Sequence, residues 1–190
     1  MDALASTLRG IVRAAAPIVI AAQGELITER AGVINLSLDG SIMLAAMTAH
    51  VVARTTGSLV QAVLAAMAVG AAVAFVVVFS SIALRLNQVA VGFVLTILCA
   101  DLAIFLGKPH FNQPGREIPT VPIPILEDIP ILGPALFRHN ILIYFSLILV
   151  VVLTLYLYRT RWGLTLRSIG EQPAAAFVRG TPVNPLRYVY

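Results

Sequence analysis

Six polar side chains stand in runs where their neighbours are apolar: Asn35, Ser37 and Asp39 in one cluster, Asn87 and Gln88 in a second, and Asp101 alone. Amide, hydroxyl and carboxylate groups of this kind form hydrogen bonds with sugar-type hydroxyls. Each of the first three is also a good helix N-cap, supplying an oxygen to the free amides that open a helix. Asn87 and Gln88, which follow Arg85, invite the same two readings. Catalytic chemistry is poorly supported. The chain has no His-Glu-x-x-His, no Gly-x-Ser-x-Gly and no clustered cysteines, and His50, His110 and His139 stand far apart. Nor does it contain the G-x-x-x-x-G-K-[ST] loop that holds ATP phosphates. The sequence is therefore read as a non-enzyme with no cofactor of its own.

The elements that must position these groups are set by composition. Of 190 residues, 59% are apolar and only 12% are charged, and the mean hydropathy is +0.92. A soluble domain of this length cannot hide so much apolar surface. Residues 55–84 carry no charge over 30 positions and residues 140–158 none over 19, against the roughly 20 apolar residues that span a bilayer core. Hydropathy marks five segments, 10–28, 38–54, 58–84, 87–107 and 140–158, of which the first two are weak. The fold expected is all-α, a polytopic transmembrane helical bundle of about five spans. The lone Cys99 excludes an internal disulfide. The net charge of +4 comes from 12 arginines and one lysine against nine acids, and it reads as membrane topology rather than nucleic-acid affinity.

In such a chain the stretch Glu29–Gly40, ERAGVINLSLDG, is the most informative, because it sets charge, glycine and asparagine between two apolar segments. Polar backbone at membrane depth is tolerated only where protein or a watery cavity satisfies it. Asn35, Ser37 and Asp39 are thus candidates to line a pathway. An ionisable group deep in a span costs on the order of 3 kcal/mol, so Asp101 and Glu25 need a partner, a polar cavity or a shallow depth. Glu29 and Arg30 read as a local charge pair at the interface. Ala62, Ala66, Gly70 and Ala74, four residues apart, place small side chains on one face for close helix packing.

Residues 107–139 hold seven of the 11 prolines and read as an extended extracytoplasmic loop, not a sixth span. Ile123, Ile125, Ile129, Ile131 and Leu132 would lie along the membrane interface. From Arg159 the chain turns basic, which places 159–190 in the cytoplasm. Counting spans back from that tail puts the amino terminus outside, against the sense of Arg9 and Arg13. Either the first segment is irregular or residues 29–54 cross in a broken way. In the tail, EQPAAAFVRG predicts a short helix bounded by Pro173 and Gly180.

ERAGVINLSLDG at 29–40, LNQVAVG at 86–92 and GLTLRSIGEQPAAAFVRG at 163–180 together resemble the permease subunit of bacterial ABC importers for simple sugars and nucleosides. Branched-chain amino acid permeases are close relatives of that group. The resemblance implies a multi-pass protein of the bacterial inner membrane. Its partners would be a separate ATPase, a second permease subunit and an extracytoplasmic substrate-binding protein. It also implies that the tail carries a coupling helix for the ATPase, with Glu171, Ala174, Ala175, Ala176 and Gly180 as coupling residues. Ala174 stands where the general motif has glutamate, and the acidic residue is displaced to Glu171. Family permeases continue through further helices after this loop, so the chain is expected to be a piece of a longer permease. The alternatives left open are a branched-chain amino acid permease, an ATP-independent secondary transporter or channel, and a non-transporting scaffold.

Overall fold

Helix dominates because most of the chain offers no other way to satisfy backbone groups among apolar side chains. The computed structural model describes residues 2–115, 118–122 and 137–189. Helices α1 (Asp2–Arg30), α2 (Leu38–Thr56), α3 (Leu59–Ile82) and α4 (Gln88–Gly107) come first. A 3-10 turn (Lys108–His110) and the short strands β1 (Thr120–Pro122) and β2 (Arg138–Asn140) follow. The chain then continues in α5 (Ile141–Arg159), α6 (Arg161–Glu171), α7 (Pro173–Val178) and α8 (Val183–Val189).

All five expected hydrophobic segments are helices. Four are long and apolar enough to cross a membrane: Ser6–Arg30, Leu59–Ile82, Gln88–His110 and Ile141–Arg159. Helix α2 is not among them, because Asp39, His50 and Arg54 lower its hydropathy. Helix α1 is continuous from Asp2 despite Pro17 inside it, earlier than the hydropathy window suggested, since a helix persists through polar residues that end an apolar run. Residues 31–37, within the 29–54 stretch for which a broken crossing was one expectation, are turn and irregular backbone.

Side chains cap three of the spans. Ser58 accepts from the Gln61 amide at the start of α3, Asn87 from Val89 and Ala90 at α4, and Asn140 from Ile143 at α5. These oxygens satisfy amides that lipid could not.

The chain divides into two compact units. The first comprises Met1–Gly24 and Glu117–Thr160. In it Gln23 of α1 donates through Nε2 to the carbonyl of Ser146 in α5 at 3.4 Å and to that of Val19 at 3.2 Å. Thr120–Pro122 pairs antiparallel with Arg138–Asn140, a feature that the proline-rich composition did not suggest. The interface residues expected in this loop, Ile123, Ile125, Ile129, Ile131 and Leu132, lie outside the described residues.

The second unit comprises Glu25–Arg116 and Arg161–Tyr190. Helix α2 packs against both α3 and α4. Val33, Val77 and Val78 form one small core with Ile82 and Leu95. In the small-residue row of α3, Ala62 is buried and Ala66, Gly70 and Ala74 are half-buried, whereas Val60, Leu64, Met67 and Phe75 are exposed. Exposed apolar faces of this kind are what helices show to lipid. Helix α6 had no hydropathic signal. It forms because Gly163, Leu166 and Ile169, three residues apart, bury one face of an otherwise polar helix.

Candidate functional site

The end of α1 is built for a sharp exit. Gly32, at φ +80°, takes a left-handed conformation that glycine adopts without penalty. Its amide bonds the Glu29 carbonyl, and the Val33 amide bonds that of Thr28, both at 2.9 Å. This pair of bonds closes the helix in a Schellman turn. From there the backbone runs without helix to Ser37, and side chains meet its amides one after another. Gln88 Oε1 accepts from Ile34 at 2.8 Å. Glu25 Oε1 accepts from Asn35 at 3.1 Å while its second oxygen accepts from the Thr28 hydroxyl at 3.2 Å. Asn35 Oδ1 accepts from both the Ser37 amide, at 3.0 Å, and the Ser37 hydroxyl. The carbonyl of Leu36 receives the Thr96 hydroxyl at 2.6 Å. Glu25 thus has the partner that an ionisable group among apolar helices requires.

Helix α4 supplies the wall for this segment. A Cβ at Gly92 would lie 2.9 Å from the Cβ of Leu36, and one at Gly40 would lie 2.2 Å from the carbonyl oxygen of Thr96. Further along, Gly107 faces Met47, and Arg54 bonds the Gln113 side chain. The partners advance in step, 34 with 88, 36 with 92 and 96, 47 with 107, 54 with 113. Residues 34–56 therefore run beside α4 from its first turn to past its last. Those 20 helical residues cover about 30 Å, the thickness of a hydrocarbon core. Irregular backbone and α2 together make up one interrupted element of that length.

At the near end the same segment meets the carboxyl-terminal helices. Gly170 of α6 lies against the Arg30 backbone, so that a Cβ there would come within 2.1 Å of the Arg30 carbonyl oxygen. Arg187 of α8 donates through Nε to the carbonyl of Ala31 at 3.0 Å and through Nη2 to that of Ile169 at 3.4 Å. The three sequence blocks singled out above meet here: the first forms the irregular segment, and the second and third contribute Gln88 and Gly92, and Gly170.

The short helix expected in EQPAAAFVRG is α7. Gly180, at φ +86°, closes it in a second Schellman turn through bonds to Phe177 and from Thr181 to Ala176. Its residues divide by face. Ala176 is 4% exposed and packs with Ile169, Val183 and Leu186, so it holds α7 to its own unit. Phe177 and Val178, at 71% and 85% exposure, form the outward face with Ala174. Hydropathy gave no signal for this division, since the small Ala176 is buried and the larger Phe177 and Val178 are exposed. Glu171, Ala175 and Ala176 line a cleft of about 400 Å³ between α6 and α7, together with Arg179.

Not every expected site residue joins the cluster. Asn35 and Ser37 lie within it, Ser37 fully buried. Ser37 occupies the N-cap position of α2 without making a capping bond. Asp39 is exposed in the first turn of α2, where its charge suits the positive helix end. Asn87 is a cap and Gln88 a contact. Asp101 is exposed on α4, five residues past Thr96, and helical rotation of about 100° per residue carries it to another side. Glu29 and Arg30 form no ion pair among the described residues. With Leu26, Gly170 and Glu171 they line a cavity of about 270 Å³. At the far end, a mainly apolar cavity of about 450 Å³ lies between α2 and α4, with Met43, Met47, His50, His110, Phe111 and Asn112 in its wall. Among the described residues no three His, Cys, Asp or Glu side chains gather as a metal centre.

The family model described as branched-chain amino acid transport system / permease component matches residues 7–190. The chain is 36% identical over 193 residues to the putative glucose ABC transporter permease protein TsgC13 of Haloferax volcanii, covering 100% of the chain and 59% of that protein. It is 31% identical over 190 residues to the guanosine ABC transporter permease protein NupQ of Bacillus subtilis, covering 92% and 59%. It is 30% identical over 183 residues to the nucleoside ABC transporter permease protein NupC of Lactococcus lactis, covering 90% and 58%. The chain thus spans about three-fifths of the length of these curated relatives. No solved structure matches it.

Proposed function

Because the chain belongs to the family of branched-chain amino acid transport system permease components, a family of multi-pass membrane proteins, we propose that it forms part of the translocation pathway of an ABC importer for nucleosides or simple sugars. The observation that carries this reading is the interrupted element made by residues 31–37 and α2. A polar, non-helical segment is held against a span, with its amides bonded to side chains, and this is the kind of backbone that lines a solute path rather than facing lipid. Asn35, half-buried, and Asp39, exposed, would offer weak, neutral or acidic hydrogen bonds, whereas Ser37, expected in the same role, is fully buried with its hydroxyl bonded to Asn35 and holds the segment instead. Weak contacts suit a conducting path, since tight binding would prevent release. The names of the three relatives support a sugar or nucleoside ligand. The far cavity, with an aromatic ring, thioethers and an amide, favours a nucleoside.

In this reading the basic carboxyl-terminal helices lie in the cytoplasm of the bacterial inner membrane. The outward face of α7 docks on a separate ATPase, a second permease completes the pathway, and a binding protein delivers ligand from outside. ATP chemistry belongs to the ATPase.

The test is co-purification of the full-length protein with the ATPase encoded beside it, followed by uptake of labelled nucleoside, glucose and leucine into vesicles. ATPase retention with ATP-dependent nucleoside or sugar uptake is expected. Leucine uptake alone would favour the branched-chain amino acid reading, for which the family description speaks. No ATPase retention would sink the importer assignment.

A further inference from the structure

Arg187 is a cation whose partners are two helix ends. Its guanidinium reaches the carbonyl of Ala31, beyond α1, at 3.0 Å and that of Ile169, near the end of α6, at 3.4 Å. Ala31 and Ile169 are both fully buried. Carbonyls at helix ends lack intrahelical partners and carry partial negative charge, so a cation there satisfies them and the helix dipoles together. No carboxylate pairs with Arg187 among the described residues. Two glycines make the junction possible. A Cβ at Gly32 would come 2.8 Å from Arg187 Nη2, and one at Gly170 would meet the Arg30 carbonyl oxygen at 2.1 Å and the Gly32 nitrogen at 3.2 Å. Backbone lies on backbone, and the guanidinium bridges the seam.

We propose that Arg187, with Gly32 and Gly170, forms a rigid joint through which movement of α6, α7 and α8 passes directly to the irregular segment 31–37. The inference rests on the importer reading above and gives Arg187 a positioning role in it. The geometry favours transmission over simple packing because the joint grips Ala31, immediately before the segment whose amides are bonded to Gln88, Glu25 and Asn35. Displacement of α7 is not absorbed by side-chain rearrangement at a seam of this kind, where the close contacts are main-chain atoms.

The test uses the full-length protein assembled with its ATPase in vesicles, comparing Arg187→Gln and Arg187→Lys with the parent. Bound ATPase, ATP hydrolysis and uptake of the solute the parent transports are measured side by side. Arg187→Gln is expected to keep its ATPase and to hydrolyse ATP within twofold of the parent, while uptake falls at least tenfold. Arg187→Lys, which keeps a cation at the two carbonyls, should recover part of that uptake. Hydrogen exchange adds a readout independent of transport, with the amides of 31–37 expected to exchange at least tenfold faster in Arg187→Gln and those of α3 unchanged. Uptake within twofold of the parent would overturn the proposal. So would loss of ATPase binding together with uptake, which would make Arg187 a docking residue, or exchange that rises equally in α3, which would make it a general structural one. A parent that neither binds ATPase nor transports would fault the importer reading instead.

Discussion

The carboxylate of Glu25 accepts a hydrogen bond from the backbone amide of Asn35 at 3.1 Å, so a side chain inside α1 holds the irregular segment that follows the helix. Its other oxygen takes the Thr28 hydroxyl. Removing the acceptor leaves a half-buried amide unmatched, a loss of about 1–3 kcal/mol. Glu25→Ala in the full-length protein should therefore lower the thermal midpoint, and Glu25→Gln, which keeps an acceptor oxygen, should lower it less. Equal midpoints for the two variants would show that the bond does not hold the segment.

Gly40 and Gly70 are both helical glycines with opposite surroundings. A Cβ at Gly40 would press on the Thr96 backbone, whereas one at Gly70 meets nothing within 4 Å. Gly40→Ala should separate α2 from α4 and cost about 1–3 kcal/mol, as overpacked sites do. Gly70→Ala should be neutral or stabilise by up to about 1 kcal/mol through helix propensity. Thermal unfolding of both variants checks the contrast.

On α7 the inward and outward residues should separate experimentally. Phe177→Ala with Val178→Ala is expected to reduce ATPase co-purification at least fivefold with the thermal midpoint unchanged. Ala176→Leu should instead lower the midpoint, because the added atoms must displace Ile169, Val183 or Leu186, against which Ala176 is packed. A Cβ at Gly180 meets nothing within 4 Å, so the backbone cost of Gly180→Trp is that of the φ of +86°, about 1–2 kcal/mol. It too should weaken ATPase retention, by disturbing the turn that orients Phe177.

Asn35 and Ser37 are not equivalent. The Asn35 side chain accepts both bonds from Ser37, one of them from the main chain. Asn35→Ala should therefore reduce uptake at least tenfold, and Ser37→Ala, which keeps the bond to the amide, less than threefold. Initial uptake rates at matched protein levels decide this.

The membrane class, the five hydrophobic helices and the helix at 173–178 were all legible in the sequence, because each follows from local apolar runs or from proline and glycine at helix ends. The three conspicuous blocks were legible as well, though only as strings of letters. That they meet around residues 30–40 was decided by the tertiary structure, since Gln88, Gly92, Gly170 and Arg187 reach that segment across 54 to 156 positions of chain in the bonds they make, and by backbone contact for the glycines. The same holds for Asp101, which the sequence grouped with the polar candidates and which helical rotation turns away. It holds also for α6 and for the outward face of α7, whose roles depend on which side finds a partner. Local hydropathy fixes which long apolar segments become helices. Close approach of backbones, and the few polar groups left to satisfy an unwound stretch, determine which residues gather around it.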